Sequence, residues 1–388
     1  MLLEEVAAYF YTIIMLELQG VTKEALGYAR MGADTMIRKF TVEELPPKNR
    51  FHYHQGLFLS GLEQTYLLSG DKRYYNYIKN WMDYYIDENG KIRFDEHERQ
   101  FDDMQPAIML FNLYKNTKDE RYKKVLDDFA PMVEMWPTNA RGGFWHKYFR
   151  PNQMWLDTLY MIGPYSVMYA FYFDRPYLYE TIYQQMNLMR RYMTDPKTGL
   201  LYHAWDDSKE IDWCNKETGL SAEFWGRAIG WYVVAIMDIL DYIPARHPRR
   251  HEFISAGLDI ISALVRFQDA ESGLWFQVVD KGDKAGNWLE TSCSSLYTYA
   301  IAKAIKKGLL HKSYAKYIHR AYEGIIKSLD FKGEDLIISK ICVGTGVGDY
   351  QFYIDRPTAE NDLHGMGAFL LMCCEYYDTC KQLDLLNE

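Results

Sequence analysis

One short turn recurs along this 388-residue chain, and the spacing between its copies constrains the fold more than any other feature. It reads as an Asp, a few spacer residues, a Gly and then a short apolar-aromatic stretch. The copies are Asp87-Glu-Asn-Gly-Lys-Ile-Arg-Phe94, Asp195-Pro-Lys-Thr-Gly-Leu-Leu-Tyr-His203 and Asp269-Ala-Glu-Ser-Gly-Leu-Trp-Phe-Gln277, with a variant, Arg141-Gly-Gly-Phe-Trp-His-Lys147, between the first two. Gly90, Gly143, Gly199 and Gly273 lie 53, 56 and 74 residues apart, so each interval has room for two helices of several turns. The intervals carry apolar residues at i, i+3 and i+4, from Leu57–Leu68 and Tyr74–Tyr85 through Phe224–Tyr242 to Gly365–Tyr377. Many stretches are apolar on more than one face, as expected of helices packed between ring neighbours. A tetratricopeptide-like array would repeat near 34 residues. The pattern therefore predicts an all-α, single-domain toroid of helical hairpins. Its Gly-aromatic loops would gather at one mouth and line one concave site.

Composition sets outer bounds. Hydrophobic residues make up 48% and aromatics 16%, enough to fill a large core. Net charge is −9 with no long basic block, which argues against a nucleic-acid partner. The six cysteines include no C-x-x-C pair, so reduced buried thiols in a cytoplasmic protein are expected. The apolar run Val6–Leu16 follows Glu4 and Glu5 rather than a basic flank and is too short to span a bilayer. It reads as an extra N-terminal helix within residues 1–26, ahead of a catalytic domain over 27–388. No membrane association is expected.

Several clusters could carry chemistry. Asp157 has Met154, Tyr160 and Met161 at helical spacing, so it is expected to be buried, with its pKa raised for want of a counter-charge. Capping the following helix is its alternative role. Asp102 and Asp103 precede Pro106 and an apolar run, where acidic residues also serve as caps. Two carboxylates in neighbouring mouth loops would raise one another's pKa and leave one as acid. His146 with Trp145, and His203 with Trp205, occupy matching places after their glycines and suit sugar faces and hydroxyls. Arg227 and Trp231, four apart, could grip a carboxylate and cover a ring. His52 and His54 could line the same mouth, but H-x-H alone is a weak metal signal. No metal or cofactor is called for, and phosphate-loop, dinucleotide and serine-hydrolase motifs do not occur. From these residues a catalytic toroid, a non-catalytic sugar-binding toroid and a helical interaction scaffold all remain open.

Longer segments narrow the choice. TVEELPPKNRFHYHQG, GGFWHKYFRPNQMWLD, GLLYHAWD, EFWGRAIGWYV, VDKGDKAGNWLETSCS, ICVGTGVGDY and NDLHGMGAF occur in that order between Thr41 and Leu371. In these the chain resembles the unsaturated rhamnogalacturonyl hydrolases, family 105 of the glycoside hydrolases. The resemblance implies an (α/α)6 barrel of six hairpins and a small acidic oligosaccharide substrate, one ending in a 4,5-unsaturated galacturonic residue from pectin. It implies Asp157 as general acid/base and Asp102 as the second acidic residue, tuning and orienting it. The implied substrate contacts are His54, Gln55, His146, Lys147, Trp155, His203, Arg227 and Trp231, completed by the segment around Thr345 and by His364. Pro106-Ala107 departs from the family's small residue and Gly, which would bear on the subsite beyond the unsaturated sugar. The related unsaturated glucuronyl hydrolases are the alternative within the same chemistry. A monomer or weak homodimer is expected.

Overall fold

The computed structural model describes residues 24–93 and 100–385, without the side chains of 384–385. The proposed extra helix within 1–26 lies almost wholly outside the described residues. Twelve helices of ten residues or more are present among them: α1 (residues 24–39), α2 (Tyr53–Ser69), α3 (Lys72–Tyr85), α4 (Ile108–Thr117), α5 (Glu120–Met135), α6 (Asp157–Phe173), α7 (Tyr177–Met193), α8 (Gly226–Tyr242), α9 (Arg250–Leu264), α10 (Thr291–Lys306), α11 (Ala315–Lys327) and, after the one-turn α12 (Tyr350–Ile354), α13 (Leu363–Leu385). None of the described helices is long and apolar enough to cross a membrane.

Six of them form an inner ring in which α2, α4, α6, α8, α10 and α13 each touch the next, and α13 closes on α2. The others form an outer ring. The architecture is the (α/α)6 barrel. Sequence dictates which ring a helix joins. Residues 226–237 of α8 and 291–305 of α10 are buried without a break, as a helix with neighbours on all sides must be. The outer α11 buries only Ile318, Ala321, Tyr322 and Ile325, one stripe at helical spacing. Helices α1 and α13 make the sixth pair, with Gly32 of α1 packed on Met366 and Leu370 of α13.

The two ends of the barrel differ. Connections from inner to outer helix are mostly tight turns through a left-handed residue: Gly70, Lys118, Asp174 and Gly308. Asp71 and Asp119 then cap the next helix by accepting from the N–H groups of Arg73 and Arg121, both at 3.0 Å. That end is closed by Lys303, buried against Asp238 at 2.5 Å and Asp241 at 2.6 Å. Connections from outer to inner helix are long, and they carry the recurrent turn. Asp195 and Asp269 accept from the N–H groups of Thr198 and Ser272, at 2.8 and 2.7 Å, while Gly199 and Gly273 hold positive φ angles of 73° and 76°. In the variant copy Asn139 takes the Asp's place, and the left-handed residue is Gly142 (φ 84°) rather than the expected Gly143. All six cysteines are buried.

Candidate active site

Two short strands, β1 (Gln153–Trp155) and β2 (Ala204–Asp206), pair antiparallel and bind two of the long loops together. Their register places Asp157, just after β1 and first in α6, beside His203, just before β2. The N–H of Leu156 donates to the His203 carbonyl at 3.1 Å. His203 is fully buried, and its Nε2 lies 3.2 Å from Asp157 Oδ2, off the line of a good hydrogen bond. Its Nδ1 is 2.7 Å from the Tyr353 hydroxyl, which accepts from the N–H of Gly348.

A cavity of about 300 Å³ opens over Asp157. Tyr53, Asp102, Lys147, Arg150 and Trp155 line it with the loop Gly344–Gly346. His146 stacks on Trp155 at 4.2 Å and 10°, and its Nδ1 meets Thr158 Oγ1 at 2.9 Å. Asp102 sits in a 3₁₀ turn (Phe101–Asp103), paired with Lys147 and 3.4 Å from His52 Nε2. Its neighbour Asp103 turns back to cap that turn, accepting from the N–H of Gln100 at 2.9 Å. The Asp pair thus divides into one cavity carboxylate and one cap. The first turn of each inner helix points to this end, so partial positive charge from several helix N-termini converges here.

Both acids are 8% or less exposed, and their ionisation departs from expectation. Burial is the largest influence on Asp157 and pushes its carboxyl up, but His203 and then His146 outweigh it, so the carboxyl sits below its usual range. The expected rise fails because the counter-charge comes from His203, 46 residues away in sequence. Asp102 is held well below the carboxylate range: burial again pushes up, and Lys147 and His52 overcome it. The groups that dominate Asp157 are therefore the imidazoles, not Asp102. Burial, helped by Lys147, brings His146 down to about 3, so it is neutral at physiological pH.

The other expected contacts divide. His146, Lys147, Trp155 and Thr345 line the cavity. Gln55 does not: it is fully buried and donates to the carbonyls of Leu45 and Pro47, at 3.3 and 2.6 Å, fixing that loop. Arg227 is buried with its two Nη groups on the carbonyls of Cys342 and Val343, and it braces the cavity's Gly344–Gly346 wall from behind. Ser292 links it to the buried Glu290, a carboxylate that no sequence signal had marked out. Trp231 stacks on Tyr160 at 4.7 Å and meets Tyr53 edge-on, a support rather than a platform. His364 holds the Tyr53 hydroxyl at 2.9 Å and Asp362 at 2.6 Å. His54 packs against His364 at 4.1 Å, and burial lowers its pKa strongly. The Gly273 segment lines a separate cleft beside α11 rather than this cavity. Pro106 and Ala107 are both buried, Pro106 against Gly56 of α2, and neither lines the cavity. Tyr53 and Tyr353 do not stand out in the sequence, whereas Arg150 is the arginine among the cations upstream of Asp157. Among the described residues no group of three or more His, Cys, Asp or Glu is placed to hold a metal.

The barrel and this cavity belong to a known class. The chain is a member of Glycosyl Hydrolase Family 88, whose sequence profile matches residues 28–380. It is similar to the unsaturated rhamnogalacturonyl hydrolase YesR of Bacillus subtilis (strain 168), 28% identical over 335 residues that make up 84% of this chain and 90% of that protein. In structure it is similar to a family 105 glycoside hydrolase of C. acetobutylicum ATCC 824, with a TM-score of 0.85 and 35% identity over 90% of this chain and 99% of that one. The unsaturated glucuronyl hydrolase of Bacillus sp. GL1 shares the fold, with a TM-score of 0.67 at 13% identity over 94% of this chain and 97% of that one. The family 105 resemblance read from the motifs holds, and the chain is a glycoside hydrolase.

Proposed function

We propose that the protein hydrolyses short oligosaccharides ending in a 4,5-unsaturated uronic acid, of the galacturonyl-rhamnose type released from pectin. One observation carries the chemistry. Of the two cavity carboxyls, Asp102 is committed to Lys147 and only Asp157 is free of a lysine or arginine partner. Hydrolysis at the anomeric carbon calls for two working carboxyls at a set separation. Hydration of an enol ether needs one acid/base group. Asp157 delivers a proton to C4, water adds at C5 and returns a proton to Asp157, and the resulting hemiketal opens and expels the leaving sugar.

Asp157 must carry a proton to act. Binding supplies the means: the substrate's own carboxylate adds negative charge and displaces water, and both raise the carboxyl's pKa. His203, held by Tyr353, orients Asp157, and Trp155 presents an aromatic surface in the wall. The relatives named above support the unsaturated uronide, and the YesR likeness favours a rhamnose leaving group. Residues 27–388 act as one catalytic domain in this reading.

The test follows the loss of the conjugated C=C ultraviolet absorbance over a panel of unsaturated disaccharides. Preferential consumption of galacturonyl-rhamnose is expected. Preference for glucuronyl-hexosamine disaccharides would move the protein to the glucuronyl reading, and consumption of none would refute the activity.

A further inference from the structure

The cations around the cavity are unequally employed. Lys147 is spent on Asp102, and the Nη groups of Arg227 on two backbone carbonyls. Arg150 is different. Its side chain lines the cavity, half-buried, with neither a hydrogen bond nor an ion pair among the described residues, and its Nε is buried without a partner. The guanidinium lies 4.8 Å from the Trp155 ring centroid and 5.7 Å from that of Phe149, itself 66% exposed. Burial lowers its pKa against a smaller opposing pull from Asp102, the mark of a cation that has lost more in water than it has gained in counter-charge. Such a group is costly in the free protein, and an anion arriving with the ligand would offset that cost.

We propose that Arg150 is the carboxylate-recognition residue of this cavity, pairing with the uronate carboxyl of the bound sugar. The inference rests on the uronide reading above. A uronate entering beside ionised Asp157 meets repulsion unless a free cation stands in the wall, and among the described residues Arg150 is the one not already spent. Its planar fork matches a carboxylate with two parallel bonds, and the Trp155 ring steadies that plane.

The experiment compares wild type, Arg150→Gln and Arg150→Lys on an unsaturated galacturonyl disaccharide and on its methyl ester. Arg150→Gln is expected to lose about 10- to 100-fold in kcat/KM on the acid, mainly through KM, as for a lost charged hydrogen bond. Arg150→Lys recovers part of this. On the ester, wild type and Arg150→Gln should perform alike. An equal loss on acid and ester, or no loss on either, overturns the assignment. Two further readouts stand apart from turnover. Thermal melting of Arg150→Gln should match or exceed wild type, because a desolvated unpaired charge is removed, and a fall of several degrees overturns the inference. Calorimetry with the non-reacting saturated digalacturonate should show weaker binding by the variant, and equal affinity overturns it. If wild type consumes no unsaturated disaccharide, the substrate reading fails while calorimetry still decides on Arg150.

Discussion

Replacing His203 by Gln should move the pH dependence of the reaction upward. In the folded protein burial drives the Asp157 carboxyl up, and the imidazole 3.2 Å away is the chief influence that draws it back below its usual range. A partner charge within 4–6 Å moves the pKa of a carboxyl by about one to three. Without His203, burial prevails and the carboxyl rises by an amount of that order, moderated by His146. The acid form of Asp157 starts the reaction, so the alkaline limb of the kcat/KM profile reports its ionisation in the free enzyme. The absolute rate of His203→Gln falls, because Asp157 loses the side chain that orients it. The ratio of variant to wild-type activity, however, rises with pH, by up to about tenfold for each pH step between the wild-type and variant limbs. Steady-state kinetics on an unsaturated disaccharide from about pH 4 to 9 measure it. A ratio flat across that range, or an alkaline limb displaced downward, refutes the reasoning.

Three other outcomes follow from the same geometry. Asp157→Asn should keep the fold by circular dichroism and lose roughly 10²–10⁴-fold or more in kcat, the range of a general acid; wild-type-like turnover would remove Asp157 from the reaction. Lys147→Met should destabilise the protein by about 2–4 kcal/mol in urea at pH 7, less than a fully buried pair because His52 remains beside Asp102. The depressed Asp102 carboxyl stabilises the fold above its unfolded pKa and ceases to as pH falls through its folded value, so the deficit should shrink below about pH 4. Glu63 has the opposite sign. Burial raises it from 4.5 to about 7, against the Asn112 hydrogen bond, so it costs stability progressively as pH climbs through that window. Glu63→Gln should gain about 1–3 kcal/mol at pH 8, discounted for partial exposure, and almost nothing at pH 4, by denaturant titration at both.

What the sequence made legible was whatever repeats or is local. The Asp-Gly turn marks the loop after an outer helix because its hydrogen bonds close within a few residues, as from Thr198 to Asp195. That placed His146, Lys147 and His203 at the mouth. Partnerships were illegible where the partner is remote. Arg227 reads as a carboxylate grip, but the carbonyls of Cys342 and Val343, 115 and 116 residues away, claim its donors. Gln55 reads as a contact until the folded-back loop at Leu45 and Pro47 takes its amide. The direction in which the Asp157 carboxyl moves is hidden for the same reason. Arg150 is legible only as one of several cations upstream of Asp157, and that it alone among them has no partner is revealed by the folded neighbourhood.

The closure of α13 on α2 has a kinetic consequence. Tyr53 opens α2 and is held by His364 at the start of α13, a contact spanning 311 residues. The cavity wall is therefore incomplete until α13 has docked on α2. On emergence from a ribosome the hairpins that precede α13 can form and pack while the sixth waits for α13. Appearance of activity then times the final zipping of the ring rather than the formation of helices, and a refolding assay that follows turnover beside far-ultraviolet circular dichroism should see helicity return first.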